Sequence, residues 1–165
     1  MSEFAREFTA LGGKLFEASD DAAARAYVER LVKERGGPAI AARRPSVERL
    51  GLQGIPWYAG RQDLAAANIG ITQADYALAN TGTLVVFSEK GEGRALSLLP
   101  PIHIAVLERS RILASLDELL EREPDFPSRS SAMVLITGPS RTADIERTLT
   151  VGVHGPGEIH VVLLG

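Results

Sequence analysis

Short apolar runs recur along this chain at intervals that helix-like segments fill, and that alternation limits its fold more than any other feature. Residues 84–87, 102–107, 131–136 and 159–164 read as strands, with 131–136 buried, and residues 14–18 and 39–42 read as shorter ones. Phe4, Phe8 and Leu11 lie at helical spacing before Gly12-Gly13. Ala24, Tyr27, Val28, Leu31 and Val32 form a second helical stripe, capped by Ser19 or Asp20 and ended near Gly36-Gly37-Pro38. Arg43-Arg44-Pro45-Ser46 opens a helical stretch through Leu50, and residues 51–60 are irregular.

Further along, Thr72-Gln73-Ala74-Asp75 has the form of a capping box with Asp in place of Glu, which predicts a helical turn running to Asn80. The turn Lys90-Gly91-Glu92-Gly93 predicts a hairpin that returns through Arg94 to Leu99, where Pro100-Pro101 stops regular pairing. Leu113, Leu116, Leu119 and Leu120 predict an amphipathic helix over 112–122, followed by a loop over 123–128, and residues 141–149 read as a helix. Strands alternating with helices give an α/β fold: a single domain over residues 1–165, with a mixed, largely parallel sheet flanked by helices and an inserted hairpin.

Composition narrows the partners. The 165 residues, 45% of them hydrophobic, suffice for one substantial core. Eighteen Lys and Arg against 21 Asp and Glu leave a net charge of -3, with no broad positive field for nucleic acid. Without cysteine the chain forms no disulfide and holds no cysteine-ligated iron–sulfur cluster. The first residues lack a signal pattern, and no apolar run approaches the roughly 18 residues of a membrane helix, so the expected location is the cytoplasm.

The chemistry concentrates at glycine-marked turns. Ile136-Thr137-Gly138-Pro139-Ser140-Arg141-Thr142 joins a strand to the predicted 141–149 helix, so backbone N–H groups, the Ser140 and Thr142 hydroxyls and the Arg141 guanidinium would meet at one anion site. A carboxylate or phosphate suits it. Gly82, Gly138 and Gly152 are expected at strand ends that share one cleft. Thr81-Gly82-Thr83 permits close backbone approach with hydroxyl donors, and taken alone it also reads as a tight turn before a strand. Arg94 is a candidate carboxylate clamp, against the plainer reading of a surface arginine. His154, beside Gly152 and Gly155, reads equally as the one candidate acid–base group or as a loop histidine satisfied by backbone carbonyls. His103 sits inside an apolar strand, where a hydrogen-bonded core histidine is commoner than a catalyst. Asp144 stabilises the dipole of the predicted helix.

Several familiar devices are missing. Gly91-Glu92-Gly93 lacks the third glycine of a dinucleotide fingerprint, and no Gly-Lys-Ser or Gly-Lys-Thr loop occurs. Glu158 and His160 share a strand face, yet His103, His154 and His160 have no helical pair spacing, so no metal site is expected. Ser140, His154 and Asp144 spell a triad without the Gly-x-Ser-x-Gly elbow that would expose the nucleophile.

The chain resembles the LUD domain family, most closely its lactate-utilisation protein C group. The resemblance rests on Gly70-Ile71-Thr72-Gln73-Ala74-Asp75, Thr81-Gly82-Thr83-Leu84, Ser97-Leu98-Leu99-Pro100-Pro101-Ile102-His103, the 136–146 segment and Gly152-Val153-His154-Gly155-Pro156. Residues 14–60 fit only in pattern, and the chain looks shortened at its N-terminus relative to many relatives. The resemblance implies a fold similar to the phosphosugar isomerase and coenzyme A transferase superfamily. It also implies a role in oxidising L-lactate to pyruvate beside iron–sulfur partner proteins, which would carry the clusters this chain lacks. Relatives commonly have Glu before Thr-Gly-Thr where this chain has Asn80, and an amide neither titrates nor attacks readily.

Three functions follow. The first is a non-redox subunit or accessory protein of lactate oxidation that binds a small carboxylate or phosphate-bearing ligand at Thr81, Gly82, Thr83, Arg94, Gly138, Ser140, Arg141, Thr142 and His154. An enzyme of acyl-coenzyme A or phosphosugar chemistry is the second, and a ligand-sensing module without turnover the third. A homo-oligomer is compatible with each.

Overall fold

Five strands, in the order β1 (Lys14–Glu17), β11 (Glu158–Leu164), β6 (Ile102–Glu108), β3 (Ile69–Gln73) and β2 (Ala39–Ala41), form a wholly parallel sheet in the computed structural model, which describes residues 2–88, 94–143, 149–151 and 154–165. The other strands are β4 (Tyr76–Leu78), β5 (Thr83–Phe87), β7 (Ile112–Leu113), β8 (Met133–Ile136), β9 (Arg141–Ala143) and β10 (Leu149–Val151). The helices are α1 (Glu3–Ala10), α2 (Asp21–Arg35), α3 (Pro45–Glu48), α4 (Ala95–Leu98), α5 (Leu116–Arg122) and α6 (Phe126–Arg129). A second sheet, β7-β4-β5-β8, is mixed: β5 runs antiparallel to both β4 and β8, and β7 parallel to β4. β9 and β10 form a separate antiparallel pair.

Strand β6 is largely apolar on both faces, with His103 the buried polar exception, because both faces are covered, as expected for the middle of a parallel sheet. Ile102, Ile104 and Val106 meet Ala24, Val28 and Leu31 of α2 in one cluster, together with Ile69, Ile71 and Val162. Ala105 and Leu107 turn the other way, into a cluster with Phe4 and Phe8 of α1, Ile159, Val161, Leu163, and Leu84 and Ile136 of the second sheet. The second sheet and α1 therefore cover one face of the parallel sheet, and α2 and α3 the other. Asp20 caps α2 by accepting from the Ala23 N–H, and Gly36 closes the helix. No helix among the described residues is long and apolar enough to cross a membrane.

The fold differs from the sequence expectations at several points. Residues 72–80 are not helical: Thr72 and Gln73 end β3, and the Asp75 side chain, instead of capping a helix, accepts from the Phe87 N–H and pairs with Arg44, holding the chain extended into β4. Residues 95–98 form α4 rather than a returning strand, with Ser97 Oγ donating to the Arg94 carbonyl, while the turn at 90–93 lies outside the described residues. The antiparallel partners of β5 are instead β4 and β8. Ile112 and Leu113 pair with Ala77 and Leu78, so the following helix starts only at Leu116, where Ser115 caps it. Residues 126–128, expected in a loop, fall within α6. Strand β8 is an edge strand with Leu135 45% exposed, not a buried one. The predicted 141–149 helix is replaced at its two ends by β9 and β10, in keeping with the β-branched Thr142, Thr150 and Val151. Asp144 and Gly152 lie outside the described residues.

Candidate functional site

Three of the residues singled out for an anion site, Gly82, Gly138 and Arg141, come together, but they do so against α1. Thr81 and Gly82 form the turn between β4 and β5, with Thr83 at the start of β5. Thr81 Oγ1 lies 2.8 Å from Thr83 Oγ1, which lies 2.9 Å from Thr137 Oγ1. Gly82 has φ +61°, and a Cβ there would stand 2.5 Å from the Phe8 nitrogen, so glycine is what lets α1 lie directly on this turn. Gly138, with φ +81°, packs against Leu11 on the far side. The Arg141 guanidinium donates through Nη2 to the Leu11 carbonyl. Helix C-termini leave carbonyls unpaired and carry partial negative charge, and α1 has no basic residue in its last turn, so Arg141 supplies that cation from the distant end of the chain. Thr142 lies opposite Thr150 in the antiparallel β9–β10 pair.

Ser140 and His154 belong to a neighbouring turn. The Ser140 N–H donates to the Pro156 carbonyl at 2.8 Å, and a Cβ on Gly155 would meet the Ser140 side chain at 3.3 Å and the Leu98 carbonyl at 3.9 Å. His154 is exposed beside them.

Arg94 stands elsewhere, at the start of α4, where two cavities share it together with Ser88. The wider cleft, about 490 Å³, is lined by Tyr58, Arg61, Ser131 and the apolar Leu98 and Leu99 in addition to the shared pair. That volume is in the range of small-molecule sites. Neither Arg61 nor Arg94 has a side-chain hydrogen bond or ion pair with another described residue. The narrower cavity, about 20 Å³, is space for about one water-sized group. It lies past the C-terminal ends of β2 and β3, with Thr72, Gln73, Asp75, Arg44 and Ser97 among its polar walls and Val86, Phe87 and Leu96 among its apolar ones.

Two features stiffen this narrow cavity. Arg44 and Asp75 form an ion pair of 2.5 Å with side chains only 12% and 10% exposed. Below it, Thr72 Oγ1 lies 2.8 Å from His103 Nε2, both residues buried. Gly70 pairs with His103 in register, and a Cβ on it would stand 2.2 Å from the Leu96 carbonyl, so the missing side chain is what seats α4 here. Burial lowers the His103 pKa to about 4, so the ring is neutral at pH 7. Its Nδ1 has no hydrogen-bond partner among the described residues.

The third histidine serves a different network. His160 Nδ1 lies 2.7 Å from the Tyr27 hydroxyl and Nε2 lies 2.6 Å from Glu158, whose carboxylate also binds Lys14 and Arg35. The hydrogen bond from Arg35, aided by Lys14 and His160, holds the Glu158 carboxyl well below the usual range. Burial, opposed by Glu158, lowers the His160 pKa. Among the described residues no group of three or more His, Asp or Glu is placed to hold a metal ion.

Of the residues lining the wide cleft, Arg94 is a candidate from the sequence, whereas Tyr58, Arg61 and Ser131 lie in irregular or short segments without a motif. For Thr72, Gln73 and Asp75 the Gly70–Asp75 motif carries a signal, although Thr72 to Asp75 equally spell a helix cap.

A parallel α/β sheet with a small mixed sheet on one face, and an arginine-lined cleft beside α4, is the class of protein these features define. The chain belongs to the LUD domain family, whose model matches residues 1–164. Lactate utilization protein C of Bacillus subtilis (strain 168) is 35% identical over 158 residues, covering 82% of this chain and 66% of that protein. The protein of the same name from Macrococcus caseolyticus is 44% identical over 97 residues, covering 54% and 41%. That from Geobacillus sp. (strain WCH70) is 37% identical over 153 residues, covering 78% and 62%. The chain thus spans 41% to 66% of the length of these relatives. In fold it is similar to the crystal structure of a DUF162 family protein from Deinococcus radiodurans, with a TM-score of 0.72 over 99% of this chain and 94% of that one, at 20% identity.

Proposed function

We propose that this chain acts in lactate utilisation as a component without a redox centre of its own, holding a small carboxylate in the wide cleft between Arg61 and Arg94. The observation that carries the reading is the pairing of two arginines with the hydroxyls of Tyr58, Ser88 and Ser131 in one cleft of ligand size. The names of its relatives support the pathway. A chain of 165 residues without cysteine also fits a division of labour in which partner proteins carry iron–sulfur clusters. On this reading the 2-hydroxy or 2-oxo acid is bound here while electrons pass through the partners.

Titration calorimetry with L-lactate and pyruvate tests the site. Both acids are expected to bind, and Arg94→Ala to weaken binding by about 1.5 to 3 kcal/mol, the scale of a hydrogen bond to a charged group. Binding unaffected by Arg94→Ala and Arg61→Ala together would remove the cleft from consideration. Growth on L-lactate of a strain lacking this gene, and co-purification of iron–sulfur proteins with a tagged copy, test the pathway and the partners separately.

A further inference from the structure

We infer that Thr72 is a specificity-determining hydrogen-bond donor, its hydroxyl proton aimed into the narrow cavity because His103 donates to its oxygen, so that the cavity selects an acceptor oxygen beside the bound carboxylate. The inference rests on the reading of the Arg94 cleft as the carboxylate site and extends it to the adjoining space. A neutral imidazole has one N–H and one acceptor nitrogen, and the hydrogen bond at one position fixes which is which. His103 Nε2 is 2.8 Å from Thr72 Oγ1, while Nδ1 is buried with no hydrogen-bond partner among the described residues.

Were the proton on Nδ1, a buried N–H donor would lack a partner, and buried N–H groups in proteins are nearly always paired. Placing the proton on Nε2 leaves only a lone pair unmatched at Nδ1 and makes Nε2 donate to Thr72. The Thr72 oxygen then accepts from the ring, and its own proton remains for another acceptor. The lowered pKa of His103, about 4, keeps the ring neutral and this arrangement intact at pH 7.

Thr72 and Arg94 line the same narrow cavity, whose 20 Å³ takes about one oxygen-sized group. An anion held at Arg94 therefore places its neighbouring substituent within this space. A 2-oxo oxygen accepts from Thr72, whereas the methylene of an unsubstituted acid leaves the hydroxyl unpaired at the cost of a lost hydrogen bond. The ligand class is a short carboxylate oxygenated at carbon 2. His103 acts only as a positioning residue.

Two measurements test this. In nitrogen-15-labelled protein at pH 7, long-range nitrogen–proton correlations, with His103→Gln to assign the resonance, are expected to show the His103 proton on Nε2; a proton on Nδ1 overturns the inference whatever binds. In calorimetry, pyruvate is expected to bind about tenfold tighter than propionate, with Thr72→Val erasing the preference and Thr72→Ser keeping it. Equal binding of the two acids by the unmodified protein, lost in Arg94→Ala, retains the Arg94 site and overturns the role of Thr72. So does a preference that survives in a folded Thr72→Val variant. Binding of neither acid removes the Arg94 reading and the ligand selection with it, while the tautomer measurement still reports on His103.

Discussion

The guanidinium of Arg141 donates to the backbone carbonyl of Leu11, 130 residues away in sequence, and so closes the C-terminus of α1 from outside the helix. Truncating this side chain to alanine is expected to lower stability by about 1 kcal/mol, the net worth of a hydrogen bond at a partly solvated site. Urea unfolding of Arg141→Ala measures it. A variant of unchanged stability but weakened anion binding would return Arg141 to the role that its sequence context suggested.

Gly82 and Phe8 make a closer contact. With φ +61° and a Cβ position 2.5 Å from the Phe8 nitrogen, Gly82→Ala meets backbone on both counts, and neither α1 nor the turn moves cheaply. The expected loss is about 2 to 4 kcal/mol, combining overpacking with a left-handed backbone conformation. Thermal unfolding reads it, and a melting temperature within a degree of the parent protein's contradicts the seating of α1 described above.

The Arg44–Asp75 pair bridges the segment after β2 and the turn after β3 with little solvent access. Removing one partner of such a pair costs about 3 kcal/mol because the other charge stays behind in a poorly hydrated place. Asp75→Ala additionally strips the Phe87 N–H of its acceptor. In denaturant titrations Asp75→Ala is therefore expected to destabilise more than Arg44→Met, and a double variant to destabilise less than the sum of the two.

His103 gives stability a pH dependence of known sign. Its folded pKa, about 4, lies below the ordinary 6.5, so between these values the unfolded chain binds more protons. The contribution is complete above pH 6.5 and is lost as pH falls toward 4, amounting to about 3 kcal/mol across that window. Unfolding free energies at pH 7 and pH 4.5, compared with those of His103→Gln, isolate it. A variant with the same pH slope as the parent protein would show that His103 is not the group responsible.

Much of this architecture is legible in the residue order, and the failures share a cause. Helix α2 is readable because its cap, apolar stripe and glycine stop are all local, and β6 and β11 because strands covered on both faces are largely apolar runs, interrupted here by His103 and His160. Thr72-Gln73-Ala74-Asp75 misleads because a carboxylate after a threonine caps a helix or ties a strand with equal chemical ease; only Phe87 and Arg44, distant in sequence, decide for the strand. The same holds at Arg141, where the helix reading assigned its donors to a ligand and the fold assigns its guanidinium to α1.

By itself, then, the sequence determined the class of fold, the lack of any cysteine chemistry, the family and the prominence of the glycine turns, all of which follow from composition and spacing. The tertiary structure alone decided what those turns hold and where a cleft opens. Gly82, Gly138 and Arg141 converge on a helix, whereas Tyr58, Arg61, Arg94 and Ser131 meet at a cleft although no motif links them. The physical reason is that a hydrogen-bonding group is defined by its type, which the sequence states, but its partner is set by long-range packing of strands and helices, which no local spacing encodes.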